Sequence, residues 1–207
     1  MVNRLTPNKR FFKPSPKEVE RYLNKWNKLE NYSLQEDALN RLFFEYAPQN
    51  VDTEDVLLKA AALNDFYSTN ILDIYTVAKH ISQLKIDDSL NKGTIELIDK
   101  IRKVVIDNKE RNFYSFATKY CSHHKPDVYP IYDRYVDKVL RYLRNTYQFS
   151  DFINDELKDY KRFVEIIDDF KSFFGLNEFS YKKIDRYLWL VGKEQFSDNK
   201  EQSEGDI

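Results

Sequence analysis

The sequence contains little cysteine, glycine or proline. Cys121 is the one cysteine in 207 residues, which excludes an internal disulfide, a four-cysteine zinc site and a cysteine-ligated iron–sulfur cluster. Four glycines and six prolines are too few for the tight turns that join many short strands. Because 42% of the residues are hydrophobic, a chain of this length can bury a core without such cross-links. These absences favour a helical protein.

The charges are balanced, and no long apolar run is present. Lys and Arg number 33 against 34 Asp and Glu, so the chain as a whole has no attraction to nucleic-acid phosphates or anionic lipids. The N-terminal residues lack the apolar core of a signal peptide, and no run of 18 or more apolar residues could span a bilayer. We therefore expect a cytoplasmic protein that does not engage a membrane. Glycine-rich phosphate loops and the usual serine-hydrolase and zinc-protease motifs are absent too.

Helical periodicity and capping signals divide the chain into about eight or nine helices. We predict an all-α fold, an orthogonal assembly of these helices in a single domain with no sheet. The domain is expected at 15–196. An N-terminal arm at 1–14 precedes it, and a disordered polar tail at 197–207 follows it.

Two capping boxes are predicted near the N-terminus. Ser15 with Glu18, and Ser33 with Glu36, have the spacing at which each residue can cap the other at a helix start. A stripe of apolar residues at helical spacing predicts a further helix, formed by Ile95, Ile98, Ile101 and Val105.

The stretch FATKYCSHHKPDVYPIYDRYV, residues 116–136, is the least ordinary part of the chain. Lys119 lies late in one predicted helix, Pro126 and Pro130 stiffen the connection, and Asp133 falls where the next helix begins. This arrangement resembles the helix-hairpin-helix DNA glycosylases, in particular the 8-oxoguanine branch, in which a lysine begins the second hairpin helix and a proline-bearing segment delivers an aspartate. The resemblance implies that Lys119 is the nucleophile and Asp133 the catalytic carboxylate.

The implied chemistry suits these residue types. A lysine kept neutral by desolvation can attack the sugar C1′ and form a Schiff base, while a carboxylate stabilises the positive charge that develops on the sugar. The target base would be flipped into an aromatic pocket. Such side chains are available nearby at Phe113, Tyr114, Tyr129 and Tyr132. The resemblance implies a glycosylase or lyase acting on DNA, and we expect no cofactor and no metal.

Other parts of the sequence depart from that family. Its hairpin has a glycine-rich turn before the lysine, whereas the corresponding DNKERNFYSFATK contains no glycine. The segments LNDFYSTNILDIYTVAKHI and KKIDRYLW resemble motifs of a bacterial family of helical proteins with no established activity.

Structural interpretations of the same residues stay open. Asp133 has the position of a helix N-cap, and Lys119 could extend its ammonium out of a buried helix into water. Cys121, His123 and His124 have no second cluster of ligands to complete a metal site, and histidines at a helix end more often cap carbonyl groups.

Four basic residues share one side of the helix that follows Asp133: Arg134, Lys138, Arg141 and Arg144. They could follow a nucleic-acid backbone, or they could form an ordinary solvated face. Two functions therefore remain: a glycosylase-like protein that acts on or binds DNA, and a non-catalytic helical module that binds another protein. Convergence of Lys119 and Asp133 in one pocket would distinguish them.

Overall fold

The computed structural model describes residues 5–8 and 11–197. These residues contain ten α-helices and one two-stranded sheet, together with a π-helical turn (Leu42–Tyr46) and a 3₁₀ turn (Asn154–Lys158). In chain order the elements are α1 (Pro16–Trp26), α2 (Glu30–Arg41), α3 (Thr53–Phe66), α4 (Ile74–Gln83), α5 (Asp87–Lys92), α6 (Leu97–Arg102), β1 (Lys103–Ile106), β2 (Lys109–Asn112), α7 (Tyr114–His124), α8 (Arg134–Tyr147), α9 (Tyr160–Phe173) and α10 (Tyr181–Phe196). The predicted tail lies, from 198 onward, outside the described residues.

Helix α7 forms the centre of the fold. Nine of its eleven residues are buried, because α3, α6 and the π-helical turn all pack against it. Helix α10 packs against α1 and α8, and α3 packs against α4. The fold is therefore predominantly helical. Of the helices in the described part of the chain, none has both the length and the apolar character needed to cross a membrane.

The expectation of no sheet is wrong. Strands β1 and β2 form an antiparallel hairpin, with Lys103 paired to Asn112 and Ile106 to Lys109. Its two-residue turn, Asp107–Asn108, has φ values of 50° and 58°, a left-handed conformation that Asp and Asn tolerate better than most residues. The run of β-branched residues before this turn forms β1 and does not continue α6, which also explains why Val105 is 62% exposed.

The two predicted capping boxes have different outcomes. Ser15 caps α1 as expected, because its hydroxyl accepts a hydrogen bond from the Glu18 N–H at 3.3 Å. The second box is wrong, since α2 begins at Glu30 and Ser33 lies inside it. The side chain of Glu36 forms ion pairs with α10, a long-range interaction that the local pattern does not reveal.

The segment before α1 lies against α10. The Asn8 N–H donates to the Gln195 carbonyl at 2.8 Å, and the Phe11 ring contacts the rings of Tyr142 and Phe196. These contacts attach residues on both sides of positions 9–10 to the helical assembly.

Gly192 on α10 lies close against Tyr135 on α8. A Cβ at Gly192 would lie 2.5 Å from Tyr135 Cβ, so we expect Gly192→Ala to lower the free energy of unfolding by about 3 kcal/mol, as other overpacked cores do. Gly175→Ala is the matched comparison, because a Cβ at Gly175 would meet nothing within 4 Å. Only the φ of +67° is unfavourable there, so the free energy of unfolding should fall by about 1–2 kcal/mol. Urea unfolding of both variants measures the difference. Equal losses would contradict the steric explanation.

Candidate functional site

A cavity of about 830 Å³ opens between α2, α7 and α10. The loop after α3 and the segment 131–136 contribute to its wall. The volume lies within the roughly 300–1,000 Å³ range of small-molecule sites. Its aromatic lining includes Trp26, Tyr32, Phe113, Tyr132 and Trp189. A large concavity with aromatic walls and a few converging polar groups makes this cavity a candidate ligand site.

Lys119 lines this cavity and is only 3% exposed. Nine of the eleven residues of α7 are buried, so the Lys119 amine lies in a desolvated part of the fold. Its Nζ donates to Ser115 Oγ, lies 3.6 Å from Asp133 Oδ2 and stands 5.2 Å from the centroid of the Tyr67 ring. Burial lowers the pKa of the Lys119 amine, and the charges of Asp133 and Asp185 only partly oppose this.

Asp133 caps α8 and faces Lys119 with the same carboxylate. Its Oδ1 accepts a hydrogen bond from the Tyr135 N–H at 2.7 Å, while Oδ2 is the oxygen close to the Lys119 ammonium. The helix-cap interpretation of Asp133 is therefore correct. It does not compete with a role in the cavity, because the two oxygens serve different partners and Asp133 is part of the lining.

The proline-bearing segment before Asp133 is fixed by side chains from three helices. Tyr160 donates to the carbonyl at 130, Asp185 accepts from the N–H at 131, and Thr118 accepts from the N–H at 132, at 3.0, 3.1 and 3.1 Å. Three consecutive residues are thus tied to α9, α10 and α7. Because these bonds restrain the backbone that precedes it, Asp133 is held in place relative to Lys119.

Three of the four aromatic residues expected around a base line the cavity. These are Phe113, Tyr114 and Tyr132, and the rings of the two tyrosines lie 4.7 Å apart between centroids. Tyr129 is not part of the lining. It is fully buried in the core, where its hydroxyl donates to the Thr94 carbonyl at 3.1 Å.

The four basic residues of α8 are not equivalent. Arg134 lines the cavity. Lys138 and Arg144 donate to backbone carbonyls at 3.0 and 2.6 Å, and Arg141 pairs with an aspartate one turn earlier at 3.1 Å. Arg134 also donates to the Tyr135 hydroxyl at 3.1 Å, so all four cations have partners within their own chain. Contact of this face with DNA stays a prediction.

Sequence reasoning missed the contribution of α10. Five of its residues line the cavity at spacings of one, three and four positions: Lys182, Asp185, Arg186, Trp189 and Lys193. A signal was present in the sequence, since Asp185 follows the inward-facing Ile184 and a charged residue beside a buried stripe needs a partner.

Glu36 links α2 to this row of cations. It is 8% exposed, and one of its oxygens lies 3.0 Å from Lys182 Nζ and 2.6 Å from an Arg186 guanidinium nitrogen. Burial alone would raise the pKa of Glu36, but the two neighbouring cations together lower it. The cavity lining nevertheless holds five cationic side chains against three carboxyl groups.

Cys121, His123 and His124 do not converge on a common point. Cys121 is buried in the core, while His123 Nε2 shares a hydrogen bond with a tyrosine hydroxyl at 2.9 Å. His124 Nε2 lies 3.2 Å from Asn50 Oδ1, and burial lowers the pKa of His124 to about 3. In the ranges 5–8 and 11–197, no group of three or more histidine, cysteine or acidic side chains is arranged to hold a metal ion.

Two comparisons relate the chain to known sequences. A protein of Haemophilus influenzae, described as an uncharacterized protein, is 47% identical to it over 148 residues, which is 71% of each chain. No solved structure matches. The HI_0787_N family model, described as an N-terminal domain, matches residues 18–128, a span that includes Lys119 and ends shortly before Asp133. Because this match covers more than half of the sequence, the chain belongs to the HI_0787_N family.

Proposed function

We propose that this protein is a DNA glycosylase-like enzyme that accepts a flipped nucleotide in the cavity. One observation carries the proposal: the buried Lys119 ammonium and the Asp133 carboxylate lie 3.6 Å apart on the wall of an aromatic cavity of about 830 Å³. A nucleophilic amine and a carboxylate in one water-poor site are the two groups that cleavage of a glycosidic bond through a Schiff base requires.

Lys119 supplies the amine. Desolvation favours its neutral form, whose lone pair attacks the sugar C1′. The electron pair of the bond from C1′ to the base leaves with the base, which takes up a proton. The nitrogen bonded to C1′ loses a proton, the electron pair of the C1′–O4′ bond moves onto O4′, which takes up a proton, and the opened sugar is held as an imine. Water then adds at C1′ and releases the lysine amine.

Asp133 stabilises the positive charge that develops on the sugar as the base departs. The hydrogen bond from the Tyr135 N–H and the restrained segment before it hold the carboxylate in place, so no reorganisation is needed during the reaction. The aromatic rings of Phe113 and Tyr132 offer faces on which a flipped base can stack.

Cations beside the cavity would bind the DNA backbone. Arg134, Lys182, Arg186 and Lys193 all contribute to the lining. The chain as a whole carries a charge of -1, so this local group replaces the overall positive charge of many DNA-binding proteins. No glycine-rich hairpin precedes Lys119, where the β1–β2 hairpin stands instead, and phosphate binding therefore depends on these side chains.

Borohydride trapping tests the proposal directly. The purified protein is incubated with duplexes that contain an abasic site, 8-oxoguanine, thymine glycol or hypoxanthine, and borohydride then reduces any imine to a stable amine. We expect a covalent adduct, with mass spectrometry locating the sugar remnant on the peptide that contains Lys119. If no duplex gives an adduct or loses a base, the enzyme is excluded and the non-catalytic interaction module becomes the better hypothesis.

Asp133→Asn should remove the charge and keep the helix cap. Asparagine is as good an N-cap as aspartate and can accept the same hydrogen bond from Tyr135, so helix α8 should begin at the same residue. We expect base excision to slow by about 10²- to 10³-fold, as when one preorganised electrostatic group is removed. Single-turnover rates on the best duplex measure this. Unchanged rates would show that Asp133 serves only as a cap.

A further inference from the structure

A second buried carboxyl group, Asp185, shares the cavity with Lys119 and Asp133. It is 6% exposed, and both of its oxygens lie 3.1 Å from the single N–H of Ile131. In the described part of the chain no ion pair links it to a lysine or arginine, and Lys182, three positions earlier on its own helix, pairs with Glu36. The two oxygens of Asp185 thus share a single backbone N–H donor.

The surroundings of Asp185 differ from those of Asp133. Asp133 has an ammonium nitrogen at 3.6 Å and an amide donor of its own at 2.7 Å. Burial raises the pKa of Asp185 well above its ordinary value, and the Ile131 N–H, Lys182 and Lys119 do not offset this. Two carboxyl groups in one site with environments that differ in this way are suited to opposite roles, one as an anion and one as an acid.

We propose that Asp185 is the proton donor to the departing base, an inference that rests on the proposed function. The electron pair of the bond from C1′ to the base moves onto the base, which receives the Asp185 proton. The Lys119 lone pair forms the new bond to C1′, and the proton that its nitrogen then loses returns to the Asp185 carboxylate. Atoms and charges balance without a further reactant.

The reaction needs such an acid, because a nucleobase leaves poorly as an anion. A positioned proton donor contributes about 10²- to 10⁴-fold to steps of this kind. None of the other side chains assigned a role is suited to it: Asp133 faces the ammonium group, and Glu36 is held by two cations. Of the three carboxyl groups that line the cavity, Asp185 alone has no cation within 4.0 Å in the structure described.

Asp185→Asn tests the proposal with little change in shape. The asparagine oxygen can still accept the Ile131 N–H, so the loop that carries Asp133 should stay in place. On the duplex that the wild-type protein processes best, we expect base excision to fall by about 10²- to 10⁴-fold. Trapping on a preformed abasic site should remain within about threefold of wild type, because no base departs there and the sugar oxygen, which leaves as water, can take its protons from solvent.

The pH dependence gives a second readout. The groups that face Asp185 are Lys119 on α7, Asp133 before α8 and Lys182 on its own helix, and its charge also acts on Tyr67 and Tyr160. The acid form is active, so wild-type excision should fall as the pH rises through the raised pKa of Asp185. Asp185→Asn should lose this fall. The pH profile of abasic trapping, which reports Lys119, should rise with pH in both proteins, with the rise at lower pH in Asp185→Asn because the Asp185 charge no longer raises the Lys119 pKa.

The possible failures are separable. If Asp185→Asn reduces excision and abasic trapping equally, Asp185 only positions the loop and the proposal is overturned; unchanged excision overturns it as well. If the wild-type protein traps abasic DNA but removes no base, the assignment of Lys119 as the reactive amine stands. The assignment of Asp185 as the proton donor is then excluded. A wild-type protein that does neither would remove the proposed function itself, and this inference with it.

Discussion

Replacing Lys119 with methionine is expected to abolish the borohydride adduct and reduce base excision to background. Methionine has a similar length and no nucleophilic nitrogen, so the covalent route is closed. The fold should persist, because burial disfavours the charged form of Lys119 and methionine fills a similar volume without a charge. The loss of the contact with Asp133 should be tolerated, since the Tyr135 N–H still binds that carboxylate. Trapping yield and thermal unfolding, measured together, check both statements.

The control is another lysine far from the cavity. Lys161 is exposed on α9 and does not line the site, so Lys161→Met should trap DNA as wild type does. An adduct that survives in Lys119→Met would contradict the assignment. The competing amines are then Lys182 and Lys193, the other lysines of the cavity lining, and peptide mapping would tell them apart.

The pH profile of abasic trapping should carry the signature of a desolvated amine. Burial lowers the pKa of Lys119, so the neutral fraction rises and reaches its plateau at a lower pH than for a solvent-exposed lysine. Trapping should therefore increase with pH and level off below the range in which ordinary lysines titrate. In Asp133→Asn the opposing negative charge is gone, and the plateau should shift to a still lower pH.

Local signals in the sequence predicted much of the helical fold. Ser15 and Pro16 define the start of α1, and Asp133 defines the start of α8, because capping depends on a few neighbouring residues. The hairpin was missed since Asp107–Asn108 is a weaker turn signal than Asn-Gly, and Val105 fitted a helical stripe by coincidence. Where a helical pattern and a hairpin pattern overlap over so few residues, the tertiary contacts determine which of the two structures forms.

The candidate site was predictable only in part. A resemblance over one short stretch singled out Lys119 and Asp133, but the sequence left open whether the two side chains converge in a pocket. Asp185 lines the same cavity and accepts a hydrogen bond from the Ile131 N–H, although it lies 54 positions later in the sequence. Its role depends on how α10 packs between α1 and α8, and no local periodicity encodes that packing. The glutamate and cations that complete the wall are distant in sequence for the same reason.

Asn50 is a buried polar residue, away from the cavity, whose hydrogen bonds connect several helices of the core. Asn50 is fully buried, and its Oδ1 accepts hydrogen bonds from Lys59 Nζ at 2.7 Å and from the Tyr120 hydroxyl, with His124 Nε2 at 3.2 Å. Its N–H and Nδ2 donate to the two oxygens of Asp87 at 3.0 and 2.6 Å. One amide thus connects α3, α5 and α7.

Asn50→Ala is expected to lower the free energy of unfolding by about 3–5 kcal/mol, the range seen when a buried charge loses its partner. The variant leaves the Lys59 ammonium with two backbone carbonyls as hydrogen-bond acceptors and the Asp87 carboxylate without its side-chain donor. The matched control is Asn91→Ala, an exposed position on α5, which should change stability by less than about 0.5 kcal/mol. Chemical unfolding of both variants measures the contrast.

The loss caused by Asn50→Ala should shrink as the pH rises. Burial lowers the pKa of Lys59 to about 8, so near pH 7 the folded protein holds a charged group that the Asn50 oxygen stabilises. Without that oxygen the pKa of Lys59 in the folded state falls further. The folded wild-type protein therefore binds more protons than the folded variant at pH values up to the wild-type pKa of Lys59. Linkage then requires the stability difference to decrease with pH through the region around and below 8. A difference that is constant from pH 6.5 to about 9 would show that the loss comes from packing alone and that the ammonium of Lys59 does not depend on Asn50.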